Sequence, residues 1–79
     1  MLQRAIPCWQ QALDTFQQLG DPHSEARTLG NLGTAYARLG ELPRAIPAYE
    51  QALALFRALG DRRYVGHALE NLGAAYAVR

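Results

Sequence analysis

From Ala26 to Leu59 the apolar positions fall three and four residues apart. The first run holds Ala26, Leu29, Leu32, Tyr36 and Leu39, the second Leu42, Ala45, Ile46, Tyr49, Ala52, Leu53, Phe56 and Leu59. That spacing puts a stripe on one side of an α-helix, whereas a half-buried strand alternates. The runs are punctuated every 20 residues by Gly20-Asp21, Gly40-Glu41 and Gly60-Asp61. Glycine enters the left-handed conformation that ends a helix at little cost, and an acidic side chain after it accepts from the orphan N–H groups of the next helix. Pro22 suits a first helical position because it has no N–H to leave unpaired, and Pro43 and Ser24 also read as first-turn residues. Glu41 is a poorer cap than either aspartate. The pattern predicts an all-α chain of four antiparallel helices, over residues 2–19, 22–39, 42–59 and 62–78. Pro7 and Pro47 lie too deep for a first turn. Each is expected to remove a hydrogen bond and bend its helix, or to delay the regular helix by a turn.

The second and fourth helices repeat a phrase, NLGTAYA over 31–37 and NLGAAYA over 71–77. Laying residues 1–39 over 41–79 gives 19 identities in 39 positions, which is an internal duplication. Hairpins repeated in tandem stack into a solenoid, each covering the apolar flank of the next. Glycine inside a helix costs about 1 kcal/mol relative to alanine, so Gly33 and Gly73 call for close helix approach in compensation. Gly33 is expected to face Ala45, with Tyr36 and Tyr49 filling the wider space beside it. Ala12 and Ala52 are expected to let the following hairpin dock closely.

Leu32-Gly33, Tyr36, Ala45, Tyr49 and Ala52 resemble the pattern of the tetratricopeptide repeat, as do Leu72-Gly73 and Tyr76, and Ala5, Trp9 and Ala12. The likeness covers nearly the whole chain, with a period of 40 residues in place of the common 34. It implies a right-handed α-solenoid in which the chain starts on a second helix and ends on a first helix. One complete hairpin, 26–59, is then flanked by two halves. It also implies a protein-interaction module, with a concave groove along helices 2 and 4 that holds a peptide or partner protein. In the family an asparagine two residues before the glycine often contacts the bound peptide's backbone, and Asn31 and Asn71 occupy that position. An amide donates and accepts, so it can pair with an extended backbone whatever side chains that backbone carries. Helical spacing sets Arg27, Thr34 and Arg38 beside Asn31, and His67, Glu70 and Ala74 beside Asn71. Two readings stay open for the asparagines: groove contacts, or hydrogen bonds that secure adjacent helices. For the arginines a solvated face is the competing reading.

The remaining chemistry narrows the picture. The 79 residues carry a net charge of +1, too little for the long-range pull of a phosphate backbone or an anionic membrane. No basic stripe suggests RNA recognition, so neither nucleic acid nor membrane is an expected partner. Trp9, Phe16, Tyr36, Tyr49, Phe56 and Tyr76 sit on helical stripes and read as core. Cys8 stands alone, reads as a small packed residue, and fits a reducing compartment. No apolar run reaches the ~20 residues of a bilayer span, and the first residues do not read as a signal peptide, so a cytoplasmic location is the expectation. His23 and His67 lie on different helices, and no serine, cysteine or carboxylate stands at triad or metal-ligand spacing. Neither an enzyme nor a cofactor is expected.

The ends bear on function too. Ile6, Trp9, Leu13 and Phe16 on the first helix, and Tyr64, Leu69, Leu72 and Tyr76 on the last, carry no polar cap, and each end lacks what the other offers. Beside the peptide-binding module stands an alternative, a structural spacer that assembles end to end.

Overall fold

The computed structural model describes residues 1–78 as four helices, α1 (Leu2–Leu19), α2 (Pro22–Arg38), α3 (Leu42–Leu59) and α4 (Arg62–Ala77). α2 and α4 each stop one residue short of the predicted range, with Leu39 and Val78 as their C-caps. Sequence neighbours run antiparallel. Gln17 reaches Glu25 while Gln10, further back along α1, reaches Tyr36 further along α2. α2 therefore lies parallel to α4, and α1 to α3.

The three corners share one construction. Gly20, Gly40 and Gly60 have φ of 67°, 76° and 71°, the left-handed values that cost glycine least. In each corner the N–H of the following acidic residue returns to a carbonyl of the finished helix: Asp21 to Phe16, Glu41 to Tyr36 and Asp61 to Phe56. This is the Schellman closure, which satisfies carbonyls that a helix end leaves orphaned. The same residue opens the next helix. Asp21 accepts from the Ser24 N–H and Asp61 from the Tyr64 N–H, each at 3.2 Å. Glu41 makes no side-chain cap and instead lies 3.5 Å from Arg44.

The core lies between α2 and α3 and is completed by α4. Ala26, Leu29, Ala45, Tyr49, Ala52, Leu53, Phe56, Ala68, Leu72 and Ala75 form one cluster. Burying Phe56 or Leu53 contributes about 1.5–3 kcal/mol each, and the alanines let the helix axes approach. α1 contributes no fully buried residue. The molecule measures 34 × 28 × 16 Å, and α1 packs on α2 alone, so it is sheltered on one side only.

Several expectations need correction. Tyr49 does not stand beside Gly33 but lies over it: a Cβ on Gly33 would stand 2.7 Å from two carbons of the Tyr49 ring. Periodicity gives the face of a helix but not the offset of its partner along the axis. Among the described residues Gly73 has no close neighbour, because none of them packs on that side of α4. Tyr76 is 48% exposed for the same reason, and its hydroxyl donates to Glu50 Oε2 at 3.2 Å. Cys8 is exposed and unpacked, since the flank of α1 that carries it meets no other helix. Pro7 and Pro47 lie inside α1 and α3, whose starts they do not delay.

The duplication extends to side-chain bonds. Gln10 donates to the Tyr36 hydroxyl at 3.2 Å, and 40 residues on the Tyr76–Glu50 pair repeats the contact at the same 26-residue separation.

Candidate functional site

α2 and α4 lie side by side over α3, and the gap between them is a groove. Part of it is a cleft of about 270 Å³. Ala26, Arg27, Gly30, Asn31 and Thr34 of α2 form one wall, and Tyr64, His67, Ala68 and Asn71 of α4 the other. Tyr49, Ala52 and Phe56 of α3 make the floor. A second cleft of about 240 Å³ shares Tyr49 and Asn71 with it and continues past Ala37, Ala74 and Val78. Small residues on both walls keep the groove open, and the side chains between them supply its polarity.

The eight residues expected at the site divide. Arg27, Asn31, Thr34, His67 and Asn71 line the 270 Å³ cleft, and Asn71 and Ala74 line its continuation. Arg38 and Glu70 are exposed and line neither; the Glu70 carboxylate lies 3.6 Å from His67 Nδ1, one helical turn back. The Thr34 and Tyr49 hydroxyls hydrogen-bond at 2.9 Å, which fixes the ring on the groove floor. Among the described residues the amides of Asn31 and Asn71 make no hydrogen bond. Donor and acceptor of each remain available to a bound backbone.

The end of the groove near the start of α2 and α4 is walled by rings. Phe56 and Tyr64 stack at 4.8 Å between centroids, and His23 meets them edge-on at 5.7 and 5.2 Å. His67 meets Tyr64 edge-on at 5.8 Å. His23 Nε2 lies 2.9 Å from Asp61 Oδ2, and since an ionised carboxylate only accepts, the imidazole is the donor. That bond, followed by the one from the Tyr64 N–H, holds the Asp61 carboxyl below its ordinary value. Asp21 is lowered likewise by its bonds from Ser24. One carboxylate thus caps α4 and ties it to α2. The ring wall and the His23–Asp61 tie do not emerge from the spacing of apolar residues. The duplication held a signal for them, because a doubled hairpin brings the starts of alternate helices together.

Among the described residues no three His, Cys, Asp or Glu side chains converge as a metal site, and no helix is long and apolar enough to cross a membrane. The architecture defines a class, tandem antiparallel helical hairpins with an open groove. Within that class a family model, the tetratricopeptide repeat, matches residues 1–58 and again 26–77, and the chain belongs to that family. Its members are in general non-catalytic protein-interaction or scaffold modules. Among solved structures the chain is similar to the solution NMR structure of the designed protein DA05. The two are 25% identical with a TM-score of 0.87, over 92% of this chain and 73% of DA05. A search of curated proteins finds no match.

Proposed function

We propose that the chain holds an extended peptide segment of a partner protein in the groove between α2 and α4. One observation carries the reading. Asn31 and Asn71 stand on facing walls, line the same cleft and make no hydrogen bonds among the described residues. Facing amides of this kind pair with the N–H and C=O groups of an extended chain and leave side-chain selection to the floor and rim. Tyr49, Ala52 and Phe56 offer the floor to an apolar side chain. Arg27 gives the α2 wall a positive charge that suits an acidic residue beside it.

The test is a displayed library of random peptides panned against the whole chain, with selected sequences measured by titration calorimetry. Selected peptides are expected to lose about tenfold in affinity for each of Asn31→Ala and Asn71→Ala, the worth of about one hydrogen bond. Absence of any selected sequence, or unchanged affinity in the double variant, overturns the reading.

A further inference from the structure

The packing of α3 on α2 is written a second time in this chain, as two separated halves. Under the 40-residue duplication α1 corresponds to α3 and α4 to α2. α4 therefore presents the kind of surface that α2 presents, and α1 the kind that covers it. We propose that α1 of a second copy of this chain packs on the uncovered flank of the first copy's α4, so that copies stack head to tail.

The contacts within one chain specify those at the junction. Tyr49 lies over Gly33, so close that a Cβ there would stand 2.7 Å from the ring. The counterparts are Trp9 and Gly73, and Gly73 opens onto unfilled space. The Thr34–Tyr49 hydroxyl pair, 2.9 Å apart, becomes Ala74 and Trp9. Both members lose the hydroxyl together, so no polar atom is stranded beneath the indole. The guanidinium of Arg44 lies 5.7 Å from the centre of the Tyr36 ring, and Arg4 and Tyr76 supply that pair again. His23 bonds to Asp61 at 2.9 Å. At the junction these positions are Arg63 of the first copy and Asp21 of the second, opposite charges where like charges would have forbidden the contact. Every pair draws one member from each end of the chain, which makes the contact heterologous and extendable.

Stacking also completes a second cleft. A recess of about 200 Å³ is lined by Phe16, Ser24, Arg27, Thr28 and Asn31. These are the counterparts of Phe56, Tyr64, His67, Ala68 and Asn71, which with other residues line the groove already described. The missing wall corresponds to Arg27, Gly30, Asn31 and Thr34, and at the junction it is made of His67, Glu70, Asn71 and Ala74 of the first copy. Glu70 then shares a cleft with the second copy's Arg27, and the groove runs on across the joint. The stacking does not depend on what the groove binds.

Sedimentation velocity over a concentration series tests it. The average mass is expected to rise with concentration and to pass that of a dimer. Gly73→Leu fills the socket from an exposed flank, and is expected to keep the helical circular-dichroism signal while abolishing the rise. Trp9→Glu blocks the opposite end and is expected to do the same. Mixed in equal amounts, the two variants retain one good end each and are expected to form a dimer and stop there. A chain that stays monomeric throughout overturns the proposal and leaves the flank to further repeats or to a foreign partner. Association that survives Gly73→Leu overturns it too, as does a mixture of folded variants that fails to pair.

Discussion

Gly33 and Gly73 occupy the same place in two copies of one helix, yet they have opposite surroundings. A methyl group on Gly33 meets the Tyr49 ring, which is 4% exposed and tied to Thr34, so neither side can yield freely. Overpacking of this kind costs about 1–3 kcal/mol, against about 1 kcal/mol gained when alanine replaces helical glycine. Gly33→Ala is therefore expected to lower stability by about 1 kcal/mol, measured by urea unfolding at dilution. Gly73→Ala meets nothing and is expected to raise it by about 1 kcal/mol in the same assay. A second residue-scale prediction concerns acid. Asp61 has a folded-state pKa below the ordinary 3.8, chiefly through the bond from His23. A depressed carboxyl adds stability that is present above the ordinary pKa and disappears as pH falls through the folded value. Stability is expected to drop as pH falls from the ordinary 3.8 through the folded value, and Asp61→Asn to make the drop shallower. Asparagine still caps a helix, so the comparison isolates the charge.

At the scale of the helix, α2 and α4 begin with an aspartate that accepts from the backbone three residues on, and α3 begins with a glutamate that does not. Glu41→Asp is expected to supply the missing cap and stabilise by about 0.5 kcal/mol by thermal melting, while its exposed pairing with Arg44 is worth little. Helix limits were legible to within a residue because glycine followed by an acid is a local signal, set by backbone sterics and orphan N–H groups. Side-chain partners were less legible. Spacing sets Tyr49 beside Gly33 where its ring lies over the glycine, and it reads Tyr76 and Cys8 as packed where both are exposed, because a stripe shows which face is apolar and not what lies opposite. Of the groove walls, Asn31 and Asn71 came from the family resemblance, and Arg27, Thr34 and His67 from helical spacing around them. The His23–Asp61 tie did not, because it joins helices that are not sequence neighbours, across 38 residues.

For the molecule as a whole, shelter is unequal. α2 and α3 carry most of the buried residues, α4 fewer and α1 none. In dilute solution amide exchange is expected to be slowest in α2 and α3, faster in α4 and fastest in α1. At concentrations where copies stack, the contrast is expected to shrink, because each outer helix then gains a second neighbour. The corners add a constraint of another kind. At each, one residue closes the rod behind it through its N–H, and at two of the three its carboxylate also opens the rod ahead. Inserting one residue there separates tasks that a single position now joins, whereas copying a 40-residue block delivers every corner whole. Recombination in whole units thus meets less resistance than small insertions, and an ancestral gene of this design grows by doubling more readily than by drift in length.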